Sequence, residues 1–219
     1  DKGIYFGELV ETGSLPACEP EDALHEFDGW YTSSGEKITE DIQLNFSRTI
    51  TAKFKEKEAS PLAWFTYDGN TLTGFSDEYK NMANAPTDII LPDNAGGSSL
   101  TTIGENAFKD RNLLTSITMP TSYTSISASA FENCISLQKI YGPSIVDTSN
   151  KSFQGCENLL NISMPKLSII GDYCFKNCNL LTSLESFPNL TTIGKYAFEE
   201  NNGLTTLVLP ESIITIDQG

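Results

Sequence analysis

The chain has 219 residues, 39% of them hydrophobic, and a formal net charge of −15. That apolar content suffices for two modest domains or one elongated one. With no basic run beyond the spaced Lys53, Lys55 and Lys57, and no stretch near the ~18 apolar residues of a membrane span, nucleic-acid binding, adhesion to an anionic membrane and direct membrane insertion are excluded.

Taken in order, residues 3–10 read as a short strand. Phe27-Asp28-Gly29-Trp30-Tyr31 then runs into a turn at Ser33-Ser34-Gly35. Ile42, Leu44 and Phe46 alternate with polar residues, as do Ile50, Ala52 and Phe54, and period two predicts half-buried strands. Residues 55–60 are charged and short and are followed by Pro61, so they read as a linker about which two domains can rotate. The expected organisation is a small β domain over 1–58 and a second domain over 59–219.

Within 59–103, Asp68-Gly69-Asn70 lies between two alternating runs, a hairpin signal. Residues 87–92 give a strand ending at Pro92, and Gly96-Gly97 marks a turn before Ile103-Gly104. This block reads as an N-terminal cap, needed to cover the apolar face and strand edge of a first coil.

From residue 104 the chain repeats itself about five times. Phe108, Phe131, Phe153, Phe175 and Phe198 recur every 22 or 23 residues, each after a small residue. Leucine stands six positions later, at Leu114, Leu137, Leu159, Leu181 and Leu204. An aliphatic follows nine later, at Ile117, Ile140, Ile162, Leu184 and Leu207, and then a proline. A leucine-rich period of this length predicts a solenoid. One coil points roughly six apolar side chains inward at about 1.5–3 kcal/mol each. Ordering its residues costs about 1.5 kcal/mol apiece, so a coil is stable only when stacked. Residues 104–109 are expected to form a helical turn that tucks the Phe inward. In the strand that follows, Leu114, Ile117 and Met119 face in and Ser116 and Thr118 face out. The equivalent outward pairs are Lys139 and Tyr141, Asn161 and Ser163, Ser183 and Glu185, Thr206 and Val208. Cys134, Cys156 and Cys178 each lie three residues after a repeat Phe and read as a ladder of small buried hydrophobes, not as metal ligands or disulfides. Cys174 fills a slot that asks for a small side chain, and Cys18 stands alone. The last unit breaks off at Gly219 where another Ala-Phe would fall, from which further repeats or a trimmed end are expected.

The units TTIGENAFKDRNLLTSITMP (101–120) and TTIGKYAFEENNGLTTLVLP (191–210) resemble the BspA-like leucine-rich repeats of bacterial surface proteins, whose usual form is I-G-x-x-A-F-x-x-C-x-x-L-x-x-I-x-L-P. The second unit departs from it, with Ser125-Ile126-Ser127 for the Ile-Gly start and Tyr141-Gly142-Pro143 for the apolar-Pro pair. The third lacks the Ile-Gly. Phe27 to Tyr31, Gly35-Glu36-Lys37 and Thr49-Ile50-Thr51-Ala52-Lys53-Phe54 resemble the Listeria–Bacteroides repeat, a β-grasp domain of the internalin B-repeat type. The expected fold is therefore mainly β with short helical turns: a β-grasp-like domain followed by a leucine-rich-repeat solenoid.

Candidate chemistry is sparse. A Ser-His-Asp or Cys-His arrangement must use His25, the one histidine, and neither a glycine elbow nor a reactive Cys accompanies it. Glu199-Glu200 read as a solvated face and not as paired glycosidase carboxylates. Trp30 suits a sugar platform but is more simply core. No calcium, zinc or phosphate-loop spacing is present. The reading is a non-enzyme with no cofactor and no metal.

Two features carry binding readings. One is the outward row, ten side chains mostly of hydroxyl or amide type, whose plain alternative is a solvated face. The other is Tyr173 with Tyr196, each two residues before a repeat Phe, whose plain alternative is packing on the neighbouring turn. The two resemblances imply an exported, cell-surface or secreted bacterial protein, often lipid-anchored, that adheres to host or matrix proteins, with Tyr141, Asn161 and Glu185 as anchors of the face. A carbohydrate-binding module and a passive spacer are the alternatives.

Overall fold

The computed structural model describes residues 9–10, 23–39, 42–43, 50–182, 187–204 and 208–218. Leu44 and Phe46, Cys18, Ser183, Leu184, Glu185, Thr206 and Leu207 lie outside them. The chain divides into two compact units, Asp1–Glu58 and Ala59–Gly219.

In the first unit, β1 (Leu9–Val10) pairs antiparallel with β3 (Ile42–Gln43), and β2 (His25–Thr32) with β4 (Ile50–Glu56). An irregularity between Phe27 and Gly29 breaks the β2–β4 register. The turn at Ser33-Ser34-Gly35 is closed by a bond from Gly35 N–H to the Thr32 carbonyl (2.9 Å). Phe27 packs edge-on against Trp30 and Phe54, both at 6.0 Å. Ile50 and Ala52 face the half-buried side as the alternation predicts, but Phe54 is 39% exposed. Trp30 is half-buried.

The second unit begins with a 3-10 turn (Leu62–Trp64) and a hairpin of β5 (Phe65–Asp68) and β6 (Thr71–Phe75), tightened by Gly69 at φ 56. Helix α1 (Asp77–Lys80) is one turn long, with the Ser76 hydroxyl accepting from Tyr79 N–H at its start. Strand β7 (Asp88–Ile90) follows. A two-residue pair, β8 (Asn94–Ala95) with β9 (Ser98–Ser99), closes around Gly96 and Gly97, both at positive φ. Phe75 lies edge-on to Phe108 at 4.8 Å, so these residues supply a cap whose aromatic core continues that of the coils.

Among the described residues the coils build three ladders, the second of them through the first three coils. The first is an eight-stranded sheet in the order β18-β17-β16-β14-β12-β10-β6-β5. Its repeat strands β10 (Thr102–Ile103), β12 (Ser125–Ile126), β14 (Asp147–Thr148), β16 (Ile169–Ile170), β17 (Thr192–Ile193) and β18 (Thr215–Ile216) are parallel and in register. The second is a parallel sheet of β7, β11 (Ser116–Thr118), β13 (Lys139–Tyr141) and β15 (Asn161–Ser163). The departures at Ser127 and Gly142 therefore do not shift the register.

The third ladder replaces the expected helical turn. The backbone around each Phe makes successive i→i+3 turns, such as Lys109 N–H to the Asn106 carbonyl (3.1 Å). A helix is ruled out because the residues two before and two after each Phe have positive φ. The earlier set is Asn106, Ser129, Lys151, Tyr173 and Tyr196, and the later set is Asp110, Asn133, Gly155, Asn177 and Glu200. The alternation of hand turns every second N–H toward the next coil. Asn106, Phe108 and Asp110 donate to Ala128, Ala130 and Glu132 at 3.1, 2.8 and 2.8 Å, and the following coils repeat the pattern.

Between the ladders runs the phenylalanine column. Successive rings from Phe108 to Phe175 stack at 5.2 Å and lie within 16° of parallel, and Phe198 continues the column at 5.7 Å. Coils approach closely beside it: a Cβ on Gly171 would lie 2.5 Å from the Ser149 carbonyl carbon, and one on Gly194 2.6 Å from Asp172 N. Truncating Phe153, fully buried between two rings, to Ala is expected to cost about 3–5 kcal/mol in urea unfolding. Phe198→Ala should cost less, because Phe198 is only partly buried.

Candidate binding faces

The strand face is built by the parallel register of the four-stranded sheet. Ser116 aligns with Asp88, Lys139 and Asn161, and Thr118 with Ile90, Tyr141 and Ser163. Lys139, Asn161 and Ser163 are exposed, Ser116 and Tyr141 half-buried. Thr118 corrects the outward assignment. It is only 7% exposed, since it sits between the larger Ile90 and Tyr141 on neighbouring strands. Val208 is 69% exposed; Ser183, Glu185 and Thr206 fall outside the described residues. Sequence reasoning missed that β7 extends the face with Asp88 and Ile90, although residues 87–92 run parallel in pattern to 115–120. The Ser116 hydroxyl donates to the Asp88 carboxylate, fixing that edge.

The tyrosine pair belongs to a different ladder. Tyr173 and Tyr196 stack at 5.0 Å and 16°, with Tyr196 41% exposed. Both occupy the left-handed slot, at φ 56 and 54, a conformation costing a side-chain-bearing residue roughly 1–2 kcal/mol. Lys176 Nζ lies 5.9 Å from the Tyr173 ring centre and pairs with Glu199 at 2.6 Å and Glu200 at 3.6 Å. The Glu199-Glu200 carboxylates are thus held by one ammonium.

The cysteine slot is more specific than a small hydrophobe requires. Cys134, Cys156 and Cys178 are buried free thiols. Each Sγ donates to the carbonyl of the Phe in the preceding coil, at 3.0, 3.1 and 3.2 Å. Asn201 fills the same slot in the last coil and donates from Nδ2 to Phe175 at 2.7 Å. Cys174 donates to Thr148 Oγ1 at 3.2 Å, a polar contact at the one repeat strand in which Thr148 stands where other coils have isoleucine.

His25 lies on β2 opposite Glu56. Among the described residues, no group of three His, Cys, Asp or Glu is placed to hold a metal ion, and no helix is long and apolar enough to cross a membrane.

A family model described as BspA type leucine rich repeat region (6 copies) matches residues 101–219, more than half of the chain. The chain belongs to the BspA-type leucine-rich repeat family. Two solved structures share the fold. One is a leucine-rich repeat protein of T. pallidum, 20% identical with a TM-score of 0.57, the match covering 70% of this chain and 84% of that one. The other is a leucine-rich cell surface protein of Faecalibacterium prausnitzii, 22% identical with a TM-score of 0.56, covering 75% of this chain and 46% of that one. This chain thus spans about half of the second protein's length. No curated protein matches the chain.

Burial pushes the thiols of the BspA-type coils up, Cys134 and Cys174 to about 12. Unfolded thiols ionise near 8.5, so above that pH the unfolded chain releases protons that the folded chain keeps. Stability is then lost as pH rises from about 8.5 toward 12, at up to ~1.4 kcal/mol per thiol per pH unit. The urea midpoint at pH 10 should accordingly lie below that at pH 8. At pH 8, Ellman's reagent should label Cys134, Cys156, Cys174 and Cys178 only once the chain is unfolded.

Proposed function

We propose that the chain is a non-catalytic adhesion module, displayed at a bacterial cell surface or secreted, whose strand face takes a protein partner of host or matrix origin. The observation that carries this reading is the pair of in-register rows crossing four strands, Asp88–Ser116–Lys139–Asn161 and Ile90–Thr118–Tyr141–Ser163, in which Thr118 is covered and the other positions form the face. Strands about 4.8 Å apart offer hydroxyl, amide, ammonium and phenol groups at a fixed pitch. Such a face favours a broad protein surface over a small ligand. Membership of the BspA-type family and the description of the Faecalibacterium prausnitzii protein as a cell surface protein support this reading. A domain boundary at 58/59, a Listeria–Bacteroides β-grasp domain over 1–58, a lipid anchor and a contribution of Ser183, Glu185, Thr206 and Val208 to the face belong to the same proposal.

The second reading, a glycan-binding module, rests on the stack of half-buried Tyr173 with exposed Tyr196. Sugars stack on such rings. Passive spacing, the third reading, is the outcome in which neither face binds.

The test compares wild type with Lys139→Ala/Tyr141→Ser/Asn161→Ala and with Tyr196→Ala, using immobilised host-surface and matrix proteins and a glycan array. The triple variant should lose at least ~10-fold in protein affinity, the scale of one to two interface anchors, while its thermal midpoint moves by a few degrees at most. Undiminished protein binding by the triple variant would sink the strand-face reading. Array hits lost in Tyr196→Ala would favour the glycan module.

A further inference from the structure

The slot three residues after each repeat Phe is uniform in four coils. Cys134, Cys156, Cys178 and Asn201 each place a small, uncharged donor on the preceding Phe carbonyl. The first coil breaks the rule with Arg111. No contact of that kind closes the slot there, and the Arg111 Nε is buried without a hydrogen-bond partner among the described residues. A buried guanidinium nitrogen in that condition is costly, and costlier than a neutral donor. A Cys or Asn would have avoided the cost at this position.

Arg111 lines a cavity of about 530 Å³ between α1, the 82–87 loop and the first coil. That volume falls in the range of small-molecule sites. Its floor includes Tyr79, whose hydroxyl is committed to the Pro86 carbonyl and whose ring lies against Phe75. Met82 and Leu113, 38% and 78% exposed, form apolar lips. The lining carries two cations, Lys80 and Arg111, against one carboxylate, Asp110, on a chain whose net charge is −15. Lys80 is already paired with Asp77 at 3.3 Å, and Asp110 keeps its charge while its Oδ1 accepts from the neutral Asn133 Nδ2 at 3.0 Å, so Arg111 is the lining's cation without an ion-pair partner among the described residues.

We propose that this cavity is a receptor for a monocarboxylate with a short apolar tail, its carboxylate on the Arg111 guanidinium and its tail between Met82 and Leu113. A planar carboxylate matches the guanidinium fork. A dianionic phosphate is disfavoured, because Lys80 is held by Asp77 and Asp110 is the neighbour of Arg111 in the chain, which leaves one guanidinium to meet the anion. The same chemistry is offered by a free small acid and by the C-terminal residue of a peptide, and the site is independent of the strand face.

The experiment is amide-resolved NMR titration of the folded chain with four probes: N-acetyl-leucine, its primary amide, a pentapeptide ending in leucine with a free carboxylate, and the same peptide amidated. Saturable shifts at Met82, Leu113 and Leu114 are expected with both acids, and affinities at least ~10-fold weaker with both amides. A response to the pentapeptide at far lower concentration than to N-acetyl-leucine would assign the site to peptide termini; equal responses would assign it to small acids. Arg111→Gln should abolish the acid–amide difference with an unchanged or higher thermal midpoint, and Asp110→Asn should tighten acid binding. Equal affinity for acid and amide in wild type, or no saturable shift with either acid at 20 mM (about the weakest binding worth calling a site), overturns the proposal, whatever the variants do.

Discussion

The structure depends on backbone groups being satisfied by the neighbouring coil. A coil of 22 or 23 residues has almost no internal helix or hairpin, so most of its N–H and C=O groups must find partners elsewhere or stay in water. Three ladders meet that demand, and the one around the Phe is the most constraining. It turns alternate N–H groups outward only because the residues two before and two after each ring take the left-handed conformation. Once those residues are set, the Phe has one place to go, and the rings fall into a column. Burial and hydrogen bonding are thus two results of one backbone geometry, and neither is available to a coil standing alone.

The sequence shows much of this. The 22- and 23-residue spacing of the phenylalanines leads directly to the column, and the alternation in 114–119 to a strand with Leu114, Ile117 and Met119 inside. Cys134, Cys156 and Cys178 read as buried and are buried. What the sequence hides is set by neighbours rather than by local pattern. Thr118 is outward by parity, yet it is covered because the residues aligned with it on either strand are larger. The left-handed slots hold Asn, Ser, Lys, Tyr, Asp, Glu and one Gly, of which Gly takes that conformation freely and Asn and Asp more readily than the rest. They are recognisable only by their fixed offset from the Phe. The donor role of the cysteine slot shows through Asn201, an amide where thiols otherwise stand, which makes sense once both are seen to reach the same carbonyl.

Two of the three surfaces considered for binding, the strand face and the cavity, arise from different parts of the coil. The strand face comes from the four-stranded sheet, whose register repeats chemistry along rows, so its character changes slowly from coil to coil. The cavity at Arg111 arises where periodicity stops. The cap continues the aromatic column through Phe75 but offers no contact of the kind the later coils make with the residue three after the ring. An irregular junction between a cap and a regular array concentrates unmatched groups, and there a single substitution changes chemistry most sharply.

The bond between Cys174 and Thr148 carries an evolutionary consequence. Tandem arrays grow and shrink by unequal crossing-over, which treats units as interchangeable. Here the third coil has a hydroxyl in place of a branched alkyl group, and the fourth carries the thiol that answers it. Excising the third unit, or copying the fourth without it, would leave the Cys174 thiol facing a branched alkyl group in place of its acceptor, while the Thr148 hydroxyl has a backbone partner of its own in the Ile169 carbonyl. The middle of this array is therefore held as an ordered pair, while the outer units are freer to be gained or lost.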